Sequence, residues 1–182
     1  MMWLFIGLAV VSVLLLVVML LRYLRRSQHA RQIHKLIRDL SRDSLADILV
    51  PDSVDGEVWI DYLLLTDGGL LVLDIRDYTG NLFGGESINE WTQLIGVKSH
   101  KFNNPLLELP ARIQAVQALA GDIPVTGQVV FTRRGHFPKG LPEGVCMVDE
   151  VYERLSGFLR PALPESRLDE AWSVVSAAVC RR

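Results

Sequence analysis

An uninterrupted apolar run near the start of the chain limits its fold most strongly. The 19 residues from Trp3 to Leu21 include no charged residue and no proline. At about 1.5 Å per residue, a helix of this length would be roughly 28 Å long, close to the ~30 Å hydrocarbon core of a bilayer. A helix in a water-soluble domain is rarely apolar on all sides for so long. The run therefore predicts one transmembrane helix.

The residues that flank the run distinguish an anchor from a cleaved signal peptide. A signal peptide has a basic segment before its apolar core and a small-residue cleavage site after it. Here no Lys or Arg precedes the run, and Arg22, Arg25 and Arg26 follow it. We therefore expect an uncleaved single-pass anchor, residues 1–26. Because basic residues accumulate on the cytoplasmic side of a membrane, we expect the N-terminus to lie outside.

The rest of the chain, residues 27–182, is acidic. After the three arginines are set aside, 16 basic and 21 acidic residues give a net charge near −5. Proteins that bind nucleic acid strongly usually present a basic surface, so a nucleic-acid role would need a local patch. The candidate residues for such contacts are Lys98, Lys101, Arg133 and Arg134. Basic clusters of this kind are more often ordinary solvated loops.

Periodicity and turn residues predict one α/β domain over residues 27–182. A helix is expected over 27–46, and strands are expected at Asp47–Pro51, Val58–Thr66, Leu70–Arg76, Gly80–Phe83, Val125–Phe131 and Val145–Val148. Further helices are expected from Asn104, as the N-cap, to Gly121, near Asp149–Leu159 and over Glu165–Val179. The pattern from Trp91 to Phe102 is irregular and predicts no regular element.

Two carboxylates are predicted to oppose each other across a hairpin. Asp67-Gly68 between two β-rich runs indicates a two-residue turn, and that register places Asp61 opposite Asp74, with Arg76 on the same face. Opposed like charges destabilise a sheet, so we expect a cation between them unless they lie at an exposed rim. Mg²⁺, which binds carboxylates and water, is one candidate, and Arg76 itself is the other.

Four short segments together resemble a known family. They are I-D-Y-L-L-L-T-D-G-G-L-L-V-L-D-I-R at 60–76, Y-T-G-N-L at 78–82, W-T-Q at 91–93 and N-P-L-L-E at 104–108. In order and spacing the series resembles the NERD (nuclease-related domain) family of the PD-(D/E)xK superfamily, over roughly residues 28–135. The resemblance implies a restriction-endonuclease-like mixed sheet flanked by helices, with a Mg²⁺-dependent site for phosphodiester hydrolysis. Together with the short anchor, it also implies the bacterial inner (cytoplasmic) membrane.

The resemblance carries the family's catalytic pattern onto particular residues. Its strand aspartate falls on Asp61, its Glu-x-Lys on Asp74 and Arg76, and the Gln after its Asn-Pro on Glu108. Asp61 and Asp74 would then bind the metal. The family's helical Glu would fall near Ala30, where there is no acid. Arginine in place of lysine is a large change, because a guanidinium forks readily onto carboxylates, whereas an ammonium is a compact point charge.

The site residues leave two main hypotheses. In the first, the acids hold Mg²⁺, a metal-bound water attacks DNA or RNA, and Arg76 stabilises the transition state. In the second, Asp61, Asp74 and Arg76 form an ion-pair cluster without metal, and the domain binds nucleic acid or protein at the membrane. The net charge, the arginine and the missing acid favour the second hypothesis, whereas the retained Asp61 and Asp74 favour the first. A third, weaker hypothesis is a protein partner on the apolar face of the last helix, at Trp172, Val175 and Val179.

Overall fold

The computed structural model describes residues 14–17, 19–20, 31–52, 56–161 and 163–181. The chain divides into two units, Met1–Leu36 and Ile37–Arg182. Within the described ranges, no helix is both long enough and apolar enough to cross a membrane. Most of the span predicted at 3–21 lies outside those ranges, and the described part of it, residues 14–17 and 19–20, is helical. The transmembrane helix therefore stays a prediction.

The described part of the chain has a run of strands between its first two helices and a second group of strands after the second helix. The strands are β1 Asp43–Pro51, β2 Glu57–Thr66, β3 Gly69–Arg76, β4 Gly80–Phe83, β5 Glu90–Ile95, β6 Lys98–Asn103, β7 Val125–Phe131, β8 Gly135–His136, β9 Val145–Met147 and β10 Cys180–Arg181. The helices are α1 at residues 31–40, α2 Pro105–Ala120, α3 Val151–Leu155 and α4 Glu165–Ala178.

The strands form two sheets. The larger sheet has the order β10-β1-β2-β3-β7-β9, with antiparallel pairing from β10 to β3 and parallel pairing from β3 to β9. The smaller sheet has the order β6-β5-β4-β8. This arrangement confirms the predicted α/β class with a mixed sheet and flanking helices.

The hairpin of β2 and β3 has the predicted register. Thr66 pairs with Gly69 across the turn, and the ladder continues to Tyr62 opposite Leu73. The next position brings Asp61 opposite Asp74, as the two-residue turn predicts. The central strand β3 lies between β2 and β7, so a side chain at its carboxyl end is surrounded by protein.

Helix α2 covers the face of the sheet on which Asp74 lies. Gly127 of β7 allows the close approach, because a Cβ atom at that position would lie 2.7 Å from Ile113 and 2.9 Å from Leu109. Leu70 and Val72 of β3 are fully buried beneath it. Full burial of each such side chain stabilises the fold by about 1.5–3 kcal/mol, so α2 is held firmly over the sheet.

Buried and exposed side chains do not alternate regularly in β1 and β2. In β1 the buried residues Leu45 and Ile48 are an odd number of positions apart, and their partners in β2, Leu63 and Ile60, are also buried. This irregularity coincides with Asp47, which has a φ of 57°. That left-handed conformation is uncommon outside glycine but accessible to Asp. The irregularity lies beside the predicted acidic pair.

Three predictions about elements were wrong. Helix α1 ends at residue 40 and β1 begins at Asp43, so the helix predicted over 27–46 is too long and the strand predicted at Asp47–Pro51 is too short. The segment predicted to be irregular is the β5–β6 hairpin, which turns at Gly96 and Val97. Most of β6 is exposed, so it lacks the apolar alternation by which a strand is detected.

Candidate active site

Asp74 is the most deeply buried acid of the site, with only 1% of its side chain exposed. Its Oδ2 atom accepts hydrogen bonds from two arginines, at 2.7 Å from Nη2 of Arg76 and 2.6 Å from Nη1 of Arg112. A buried carboxylate is stable only when it is paired and hydrogen-bonded. The two guanidinium groups meet that requirement at Oδ2 without any added ion.

The second oxygen of Asp74 is also occupied by Arg76. Oδ1 lies 2.7 Å from Nε of Arg76. Neither of these two buried atoms makes a hydrogen bond of acceptable angle, so the contact is a close ion pair rather than an aligned bond. Arg76 therefore faces both oxygens of the carboxylate, and its own side chain is only 23% exposed.

Glu108 joins the cluster from α2. Its Oε2 atom accepts from Nη2 of Arg112 at 2.9 Å and, more weakly, from Nη2 of Arg76 at 3.4 Å. Glu108 and Arg112 are four residues apart and therefore lie on one face of the helix. Glu108 is 44% exposed, so it forms the outer edge of the cluster.

Asp61 contributes a carboxyl group that accepts no hydrogen bond from an arginine of the described ranges. Its Oδ2 atom accepts from the backbone N–H of Ile75 at 2.9 Å. Burial, followed by the nearby charge of Asp74, raises the pKa of Asp61 to about 6, although the Ile75 N–H and Arg76 act in the opposite direction. A carboxyl group with this pKa changes from its neutral to its charged form around pH 6.

The arginines offset most of the negative charge of the cluster. Burial opposes the charged form of Arg76, but the hydrogen bond and charge of Asp74, together with the charges of Asp61 and Glu108, outweigh that effect, and the pKa of the guanidinium is raised. Two guanidinium groups, from Arg76 and Arg112, therefore face the carboxylates of Asp74 and Glu108. Asp61, with a pKa of about 6, is mostly ionised at neutral pH and leaves the cluster with a net charge of about −1. The arginines therefore weaken the attraction that three carboxylates would have for a divalent cation.

The residues present do not fit a catalytic Mg²⁺. Mg²⁺ requires near-octahedral oxygen ligands, and both oxygens of Asp74 already face guanidinium groups. Across the described ranges, no group of three or more His, Cys, Asp or Glu side chains is arranged to hold a metal ion. A cation bound by Asp61 and Asp74 would have to displace Arg76 and Arg112.

Comparison with known proteins identifies the family. The profile of NERD, the nuclease-related domain, matches residues 24–132, which is more than half of the chain. The chain belongs to the NERD family. It is also similar to an uncharacterized protein of Bacillus anthracis, with 32% identity over 60 residues that make up 33% of this chain and 28% of that protein. The aligned part is thus well under two thirds of that relative. No solved structure matches the chain.

Arg112 is the residue of this NERD domain that sequence reasoning missed. It lies on α2 and is buried against Asp74, 38 positions away in sequence. The available signal was its spacing of four residues from Glu108, which predicts a helical ion pair. That spacing alone does not show that the pair points into the sheet.

Two sequence motifs of the NERD domain serve the fold. Asn104 caps α2 by accepting from the Leu106 N–H at 3.0 Å, as predicted, and its side-chain amide donates to three backbone carbonyls, at Gly85, Glu86 and Ile88. Trp91 is fully buried. The Asn-Pro and Trp motifs therefore fix the path of the chain between the two sheets.

The predicted nucleic-acid contacts lie apart from the acidic cluster. Lys98 and Lys101 are on β6 of the smaller sheet, and Arg133 and Arg134 follow β7. Among the described residues, no hydrogen bond or ion pair joins the side chains of these four to those of the cluster, which are Asp61, Asp74, Arg76, Glu108 and Arg112. The structure does not bring the two predicted sets into one site.

Three of these four basic residues already have acidic partners. Lys101 pairs with Glu90 at 2.8 Å. Arg133 donates to Asp149 through Nη2 at 2.7 Å, and Arg134 donates to Asp77 through Nη1 at 2.5 Å. Lys98 makes no ion pair within the described part of the chain. A phosphate would have to compete with a carboxylate at three of the four positions.

Proposed function

We propose that this NERD domain is a non-catalytic binding module of restriction-endonuclease-like fold, anchored to the inner membrane and facing the cytoplasm. Its ligand would be nucleic acid or a protein. The observation that carries the proposal is the pairing of buried Asp74 with both Arg76 and Arg112. Because the metal-binding acid of the family pattern is held by arginines, we infer that the hydrolytic chemistry has been lost.

Displacement of the arginines by a metal would be unfavourable. Removal of one partner from a buried ion pair typically costs about 3–5 kcal/mol, because the other charge stays buried without compensation. A metal at Asp74 would displace two such partners. Arg76 also stands where the family pattern has a lysine, and a guanidinium that is bound to a carboxylate is poorly available to stabilise a phosphate.

The two kinds of ligand make different demands on the surface. Exposed ion pairs such as Lys101 with Glu90 contribute little stability, so the phosphates of a nucleic acid could displace them. The net charge near −5 of residues 27–182 opposes such binding. A protein ligand requires no basic surface. We therefore keep both ligand classes within the proposal and separate them by experiment.

Exposed apolar side chains near the start of the chain support the proposed anchor. The described residues near the start of the chain expose large apolar side chains, with 64% of Leu14 and 69% of Met19 accessible. They belong to the charge-free run from Trp3 to Leu21. A contiguous exposed apolar surface normally marks a membrane or protein contact. The arginines that follow the run support a cytoplasmic domain.

A cleavage assay tests the proposal. The full chain in nanodiscs is incubated with plasmid, single-stranded DNA and RNA in the presence of Mg²⁺ or Mn²⁺. We expect no metal-dependent cleavage, and identical traces for the wild-type chain and Asp74→Asn. Cleavage that needs the metal and disappears in Asp74→Asn would instead establish the alternative function, a Mg²⁺-dependent phosphodiesterase.

The ligand class is tested by fluorescence anisotropy with labelled DNA and RNA at low salt. A nucleic-acid module should bind with an affinity that falls as salt rises, and Lys98→Ala/Lys101→Ala should weaken that binding. Ser99→Ala on the same strand serves as the matched control. No binding at low salt would restrict the proposal to a protein ligand.

A further inference from the structure

The β5–β6 hairpin ends in exposed apolar side chains. Its two-residue turn consists of Gly96, with a φ of 58°, and Val97. Val97 is 99% exposed and Ile95 is 44% exposed. Hairpin turns are usually built from Gly, Asn, Asp, Ser or Pro, so an almost fully exposed valine at this position is unusual. The domain itself gains nothing from an apolar side chain at this position.

Basic side chains follow the tip along β6. Lys98 pairs with Ile95 at the first position of the strand, and His100 follows two residues later on the same face. Both side chains are exposed, and neither forms an ion pair within the described part of the chain. An apolar tip with unpaired basic residues directly behind it is complementary to a bilayer surface, where an apolar layer lies beneath anionic headgroups.

Nucleic acid fits the hairpin tip less well than lipid does. Proteins that bind single strands usually present aromatic side chains on which bases stack, whereas Ile95 and Val97 are aliphatic. The net charge near −5 of residues 27–182 also opposes approach to a polyanion.

We propose that the hairpin tip is a lipid-contact site, in which Ile95 and Val97 enter the interfacial layer and Lys98 and His100 contact anionic headgroups. The inference rests on the proposed membrane anchor. Only residues 22–30 separate the predicted span from α1. Nine residues reach at most about 30 Å, so α1 would always begin close to the bilayer.

A probe at the tip tests the inference in the full chain. Cys180 is exposed and Cys146 is buried, so Cys180→Ser provides a background for Val97→Cys carrying an environment-sensitive fluorophore. In nanodiscs with phosphatidylglycerol, we expect a blue-shifted emission and at least a threefold loss of iodide quenching relative to phosphatidylcholine alone. Lys98→Ala/His100→Ala should abolish that difference. A probe at Val174→Cys, an exposed position on α4, should respond to neither lipid.

The outcomes separate the tip from the anchor. Extraction of vesicles with alkaline carbonate reports whether the chain stays in the bilayer. A retained chain whose position 97 is quenched equally in both lipids contradicts the lipid-contact site and leaves the anchor in place. A chain that is extracted contradicts the anchor and, with it, the inference. A probe that responds to added DNA or RNA but not to anionic lipid would also overturn the lipid-contact site.

Discussion

Arg112 of α2 donates to Asp74 of β3 across a distance of 2.6 Å, and both side chains are buried. This bond brings a second cation to Asp74, which the resemblance to the family predicts to be a metal ligand. The first cation, Arg76, is two residues beyond Asp74 on the same strand. The buried carboxylate of Asp74 is therefore neutralised by the protein's own arginines.

Removal of Arg112 should destabilise the fold strongly. Arg112→Ala leaves Asp74 and Glu108 with one fewer partner, and we expect a loss of about 3–5 kcal/mol in the free energy of unfolding. Denaturant titration of the full chain in detergent, followed by tryptophan fluorescence, measures the loss. Lys101→Ala breaks an exposed pair with Glu90 and should leave stability nearly unchanged. Equal effects of the two variants would contradict a tightly paired Asp74.

Asp61 should make stability depend on pH in an unusual direction. Its pKa is raised from 3.8 to about 6 in the folded chain, so the folded state holds the proton more tightly than the unfolded state does. Asp61 therefore destabilises the fold above pH 6, and this destabilisation is relieved as the pH falls from about 6 to about 4.

Asp61→Asn should remove that destabilisation, because the amide oxygen can still accept from the Ile75 N–H. We expect about 1–2 kcal/mol of added stability at pH 7.5 and little change at pH 4. Denaturant titrations of both chains at the two pH values measure the difference. A variant that is less stable than wild type at pH 7.5 would show that the charge of Asp61 is favourable.

Gly84 should tolerate no side chain, because Trp91 packs directly against it. A Cβ atom at Gly84 would lie 2.2 Å from the indole ring, whereas one at Gly85 would have its nearest neighbour at 3.9 Å. We expect Gly84→Ala to cost about 1–3 kcal/mol or more through overpacking and to shift the Trp91 emission. Gly85→Ala is the matched control and should be nearly neutral. A Gly84→Ala chain as stable as that control would contradict the packing.

Both the side-chain oxygen and the side-chain NH2 group of Asn104 should contribute to the stability of the fold. Asn104→Ala removes the cap of α2 and the amide donor that three partly buried carbonyls share. We expect a loss of about 2–4 kcal/mol. Asn104→Asp keeps the cap acceptor but not the donor, so it should also destabilise. Thermal unfolding measures both variants, and a stable Asn104→Asp chain would show that the cap alone matters.

Turn and capping residues in the sequence predicted the hairpin and the helix that they begin or join. Asp67-Gly68 fixed the hairpin register, because the turn length determines which residues oppose each other. Asn104 and the proline after it marked the start of α2. Tertiary placement was not predictable in this way, because the position of Arg112 depends on how α2 packs on β7. The φ of 57° at Asp47 likewise leaves no signal in the sequence.

The most direct test of the account is metal binding by calorimetry. Mg²⁺ and Mn²⁺ are titrated into the full chain and into Arg76→Lys/Arg112→Gln, with Asp74→Asn as the control and unfolding curves to confirm that each variant is folded. We predict no binding to the wild-type chain, because guanidinium groups occupy both oxygens of Asp74, and measurable binding once the arginines are replaced. Stoichiometric binding by the wild-type chain that Asp74→Asn abolishes would contradict the account.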